Sequence, residues 1–147
     1  MKFIHLFLLI AAMILLAACA DVDTKSDGTT EVTLPGGGKI THNESGLELP
    51  EDFPENMLRY PGAKLTAKFD APQGSTVSFE TSATIPEVTV FYEKKLEENG
   101  WKIAGNFKTA GGTMLSATSP GSGAVSLAIA KNKKTGKTVI TVIRNEN

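Results

Sequence analysis

Cys19 carries the only thiol of this 147-residue chain, and it closes the run Leu16-Ala17-Ala18-Cys19 at the end of an apolar stretch from Leu6 to Ala20. A single thiol has no partner for an intrachain disulfide, so its chemistry must be nucleophilic, or that of a site for attachment. A second motif, Gly36-Gly37-Gly38-Lys39, has the look of a phosphate loop. It fails as one because Ile40 stands where Ser or Thr should follow the lysine, and no long helix begins there to offer its amides. It reads as a turn. Paired carboxylates are the remaining reactive class. Glu51, Asp52 and Glu55 fall in a charged lead-in, and Glu93, Glu97 and Glu98 fall on the polar side of a helical pattern. Carboxylates on water-facing surfaces make poor general acids at neutral pH. The chain is read as a non-enzyme.

The first eighteen residues have the anatomy of an export signal: a basic start at Lys2, an apolar core, and the small exit pair Ala17-Ala18. The apolar run is shorter than the roughly 20 residues a membrane-spanning helix needs. Together with Cys19 the segment resembles the lipobox of bacterial lipoproteins. That resemblance implies cleavage between Ala18 and Cys19, a diacylglycerol on the sulfur, and a fatty acid on the new amino terminus. The implied partner is the membrane, held through acyl chains on Cys19. One chain anchors marginally, whereas two or three make a durable tether. Ala20 stands where an Asp would resemble an inner-membrane retention signal, which points to an outer-membrane address facing the periplasm in a Gram-negative source.

Processing would leave His42 as the sole histidine, too few for a metal centre or for the usual Ser–His and Cys–His pairs. The expectation is no metal, no catalytic residue and no cofactor. Formal charge is −1, and without Lys2 the chain holds 14 basic and 16 acidic side chains. That near-balance argues against nucleic acid as a partner.

The elements that must position any surface chemistry follow from periodicity. Residues 19–46 read as the lipidated Cys and a flexible tether, since ADVDTKSDGTT has one aliphatic side chain larger than Ala. Within it, 31–34 and 39–41 could form a short hairpin or remain linker. Asn43-Glu44-Ser45 matches a glycosylation acceptor by accident. Residues 47–147 read as one α+β domain. Phe53, Met57 and Leu58 can cap its core, and Tyr60-Pro61-Gly62-Ala63 is a turn. Leu65, Ala67 and Phe69 alternate with polar neighbours, as do Val77 and Phe79, predicting two strands. Thr84-Ile85-Pro86-Glu87 has capping-box form, and Val88, Phe91, Tyr92 and Leu96 make one apolar stripe of a helix that stops at Asn99-Gly100. Trp101, Ile103 and Phe107 lead a further strand. Strands over 113–118, 124–130 and 138–144 follow. The expected fold is an antiparallel sheet of about six strands in the order ββαββββ, with one amphipathic helix on one face. The other face, rich in small and hydroxyl-bearing residues, is expected to stay open.

Phe53-Pro54, Tyr60-Pro61-Gly62-Ala63, Pro86-Glu87-Val88, Phe91-Tyr92, Leu96 and Gly100-Trp101 together resemble a pattern found in a family of exported bacterial lipoproteins. The resemblance covers residues 49–108 and implies the fold and the address, and it carries no catalytic residue across. Trp101 is expected to seal the helix–sheet junction and the Tyr92 hydroxyl to reach water. Two functions are consistent with this: a binding or structural module for an envelope protein or polymer, and a carrier of a small apolar ligand held between helix and sheet. Lys131, Lys133, Lys134 and Lys137 crowd one hairpin tip, either as solvated protection of the sheet or as a contact for an anionic surface.

Overall fold

The computed structural model describes residues 21–49, 59–71, 74–120 and 123–145. Cys19, the export segment 1–18, Phe53, Met57, Leu58 and the carboxylates Glu51, Asp52 and Glu55 lie outside the described residues. Nine strands and one helix follow: β1 Asp21–Thr24, β2 Thr30–Thr33, β3 Lys39–His42, β4 Lys64–Ala71, β5 Gly74–Thr81, α1 Ile85–Glu98, β6 Lys102–Thr109, β7 Gly112–Ser119, β8 Gly123–Lys131 and β9 Thr138–Asn145. They form one antiparallel sheet in the order β1-β2-β3-β4-β5-β9-β8-β7-β6. Among the described residues, the α+β class with one helix on an antiparallel sheet is as expected.

The strand count is not. Six strands were expected and nine are present, because β1, β2 and β3 occupy the stretch read as tether. That stretch is poor in apolar residues, but it does not need a core of its own. β3 pairs with β4 from Lys39↔Asp70 to His42↔Ala67, so the hairpins extend an existing sheet. Hydrogen bonds at the ends hold them. Asn43, buried, donates from its side-chain amide to the Thr29 hydroxyl at 2.9 Å, and its own side-chain oxygen accepts the Ser45 N–H at 2.7 Å. Asp27 accepts the Thr29 N–H at 2.9 Å, which closes the β1–β2 turn and holds the Asp27 carboxyl below its usual value.

The order of strands dictates the helix. β5 ends at Thr81, beside Thr138 of β9, while β6 begins at Lys102, at the opposite end of the sheet and on its far edge. The link must therefore cross four strand spacings, about 19 Å, and run about 23 Å along the strands. A 14-residue helix covers about 21 Å, and the short flanks supply the rest. Thr84 caps its start and the capping box with Glu87 is complete: the Thr84 N–H donates to the Glu87 carboxylate at 2.7 Å. Its C-terminal end is closed by Gly100, at φ 76°, and by the Trp101 N–H donating to the Leu96 carbonyl at 2.9 Å.

Packed between α1 and the sheet are Val88, Tyr92 and Leu96 from the helix and Val77, Phe79, Leu115, Val125, Leu127, Ile129, Ile140 and Val142 from the strands, each less than 2% exposed. Trp101 is buried at their margin, where it was expected to seal the junction. Tyr92 differs from expectation. Its hydroxyl is inside, meeting the Tyr60 backbone, and burial pushes the phenol well above its usual value. Phe91, expected at the core or its edge, stands at the edge: it is half-buried, packs against the core and lies edge-on to Tyr60 at 4.9 Å and to Tyr92 at 5.2 Å.

Candidate functional site: the open sheet face

Two register shifts decide which aromatic rings enter the core. In β4 the pairing passes from Leu65↔Phe79 to Ala67↔Ser78, and in β6 from Ile103↔Ala117 to Gly105↔Ser116. Each is a bulge of one residue, and one extra residue sends every later side chain to the other face. Leu65 and Ile103 therefore point to the helix, whereas Phe69, opposite Thr76, and Phe107, opposite Met114, point away from it. The sequence reading, which assumed unbroken alternation, placed Phe69 with Leu65 and Phe107 with Ile103. Both placements are corrected.

The result is an open face with its own order. One cross-strand row reads Val22, Val32, Ile40, Phe69, Thr76, Ile143, Ser126, Ser116 and Gly105. The next reads Thr24, Thr30, His42, Ala67, Ser78, Thr141, Ala128, Met114 and Phe107. Among the described residues the large apolar side chains that stand exposed are Val22, Ile40, Val90, Phe107, Met114 and Ile143, and all but Val90 are on this face. Phe107 is 66% and Met114 60% exposed, side by side on neighbouring strands. The second row is shallow in its middle because its side chains there are Ala67, Ser78, Thr141 and Ala128, with the Ser78 and Thr141 hydroxyls 3.1 Å apart. A Cβ at Gly105 would stand 2.7 Å from the Ser116 hydroxyl oxygen, so the floor there admits no side chain without movement.

At one end of this face the β8–β9 hairpin curls over a recess of about 220 Å³ bordered by His42, Glu44, Glu80, Asn132, Lys134 and Lys137. Asn132 donates to the Glu80 carboxylate at 3.0 Å, and Lys137 approaches the same carboxylate at 3.7 Å. Of the lysine tip, then, Lys137 is partly engaged in holding its own hairpin, and Lys131, Lys133 and Lys134 are exposed. Among the described residues no three His, Cys, Asp or Glu side chains are grouped to hold a metal ion. The helix carboxylates Glu93 and Glu98 face Lys108 at 3.0 Å and Lys95 at 3.4 Å, where they make surface ion pairs.

The sequence profile of the START domain-like family matches residues 64–137, half of the chain. The chain belongs to the START domain-like family. The matched stretch runs from the first residue of β4 through α1 to the hairpin before β9, so it contains the helix and both bulges. The hairpins β1–β3 precede the START domain-like stretch and widen its sheet on the side away from α1. No curated protein and no solved structure matches the chain.

Proposed function

We propose that this START domain-like protein is a membrane-anchored envelope lipoprotein, held by acyl chains on Cys19, whose open sheet face binds a protein or polymer partner and catalyses nothing. The observation that supports it most is the pair of bulges that turn Phe69 and Phe107 out of the core. An apolar ring in water has a cost that burial would remove, and exposed apolar patches on a folded domain mark contact surfaces. Phe107 and Met114 form the anchor of such a surface, and the flat Ser/Thr/Ala floor beside them gives hydrogen-bonding groups without obstruction. The address is the outer membrane facing the periplasm in a Gram-negative cell.

The second reading, a carrier of a small apolar ligand between helix and sheet, draws on the family match. Against it, Val88, Tyr92 and Leu96 of α1 share one hydrophobic cluster with Phe79, Leu115, Leu127, Ile129 and Ile140, and each of these is less than 2% exposed. The anchor is tested by growing cells on an alkyne fatty acid. The wild-type protein should take up the label and Cys19→Ser should not. An unlabelled wild-type protein of mature size would refute the anchor.

A further inference from the structure

We propose that the β1–β4 part of the open face lies on the membrane surface itself, with Val22, Val32, Ile40 and Phe69 set against the lipid. The inference rests on the lipid-anchor reading of Cys19 and adds the orientation that the strands then impose.

β1 starts at Asp21, so only two peptide steps separate it from Cys19. Fully extended, two steps span at most about 7 Å. The headgroup layer on each side of a bilayer is about 5–8 Å thick. A lipid anchor on Cys19 therefore leaves no room for a water-filled gap, and the edge strand sits within the headgroup layer or just above it. Laid flat on that surface, the sheet turns one of its two faces to the lipid.

The two faces of β1–β4 differ in charge, with six charged side chains on one and a single one, Lys64 at the start of β4, on the other. On the side shared with α1, β1–β4 present Asp21, Asp23, Glu31, Lys39, Lys68 and Asp70. Glu31 there bridges Lys25 at 2.8 Å and Lys39 at 2.9 Å, which holds its carboxyl down to about 2. On the other side, β1–β3 present only Val22, Thr24, Thr30, Val32, Ile40 and His42, and β4 past its bulge adds Ala67, Phe69 and Ala71. Turning the first set to lipid would strip water from six charged groups, whereas turning the second set removes apolar area from water. Phe69 also closes the row from behind: its ring packs on Gly38, where a Cβ would come within 3.0 Å of it, and so it forms a continuous apolar strip with Leu34 and Ile40.

The twist of the sheet keeps this compatible with partner binding. Neighbouring strands rotate by roughly 20–25° each, and six steps separate β2 from β7. The Phe107–Met114 patch is thus turned by about 120–150° from the membrane-facing strip and remains open to the compartment.

The acylated sulfur of Cys19 makes the test selective, since an added cysteine becomes the only free thiol. Full-length lipidated protein carrying Ile40→Cys, Thr33→Cys or Phe107→Cys is labelled with bimane. It is then reconstituted in phosphatidylcholine vesicles with or without bromine on the acyl chains. Contact about 5–10 Å into the interface should cost the Ile40 probe at least about half its fluorescence in brominated vesicles, with little change at Thr33 or Phe107. An Ile40 probe that stays bright on vesicles that carry the protein through flotation would overturn the docking and leave the anchor standing. Equal quenching at Thr33 would overturn the choice of face. A probe at Ile40 shielded from water but insensitive to bromine, and re-exposed on dilution, would show a second copy on the strip and overturn the proposal. A purified mature protein whose Cys19 thiol still reacts would overturn anchor and docking together.

Discussion

Truncating three successive residues of α1 separates a buried face from a shared edge and a wet one. Tyr92 is 0% exposed, Phe91 is half-buried, and Val90 is 61% exposed. Burying an aromatic ring removes about 150–250 Å² from water, which at roughly 25 cal/mol per Å² corresponds to about 4–6 kcal/mol as an upper figure. Tyr92→Ala should therefore cost about 3–5 kcal/mol, the range for a fully buried ring replaced by Ala. Phe91→Ala keeps about half of that burial term at stake and loses its edge contacts to Tyr60 and Tyr92, so about 2 kcal/mol is expected. Val90→Ala removes a β-branched residue from the water side, where Ala is the better helix former, and should stay within about 0.5 kcal/mol. Urea melts in the Cys19→Ser background, read by the single, buried Trp101, give the three values. Phe91→Ala as costly as Tyr92→Ala, or a loss above about 1 kcal/mol for Val90→Ala, would refute the placement of the helix faces.

Other consequences can be checked on the same melts or by NMR. The Thr41 hydroxyl is buried without a hydrogen-bond partner, so Thr41→Val should stabilise the protein by about 1 kcal/mol; a loss of stability would show that the hydroxyl is satisfied. A Cβ at Gly112 would press on the Ile129 carbonyl oxygen and the Ala130 backbone, so Gly112→Ala should cost about 1–3 kcal/mol in the melt and perturb the β7–β8 amides. Because Glu31 is held down to about 2 by Lys25 and Lys39, its contribution to stability is present above the ordinary carboxylate range and is lost as pH falls toward 2. Carboxyl-detected titration should show that low midpoint, and Lys25→Gln with Lys39→Gln should move it up; an unchanged midpoint would rule out the two lysines as its cause.

The capping box at Thr84 and Glu87, the stop at Gly100 and the alternation of β8 were legible because each depends on residues close in the chain. Val125, Leu127 and Ile129 face the core as their spacing predicts. What alternation could not reveal is where it breaks. Thr66 and Ala104 are ordinary strand residues, yet the extra residue falls at these positions and reverses Phe69 and Phe107. Thr66 is held there by a hydroxyl bond to the Ser78 carbonyl at 3.3 Å, a contact twelve residues away in sequence. For a related reason β1 was not foreseen and the β2–β3 pair stayed open between hairpin and linker. Their own composition is that of a linker, and their order comes from an edge that only the assembled sheet offers, together with turns closed by Asp27 and Asn43. The Gly36-Gly37-Gly38 run, read as a turn, is the turn of the second hairpin, with the Leu34 N–H donating to the Gly38 carbonyl at 2.8 Å.

The most direct test of the binding reading is site-specific photocrosslinking in intact cells. A benzophenone side chain is placed at Met114 on the open face or at Lys94 on the exposed side of α1. Met114 should give a shifted band that disappears when Phe107→Asp is added and the melt is unchanged, while Lys94 gives none. No adduct at Met114, or equal adducts from both positions that survive Phe107→Asp, would contradict a partner-binding sheet face.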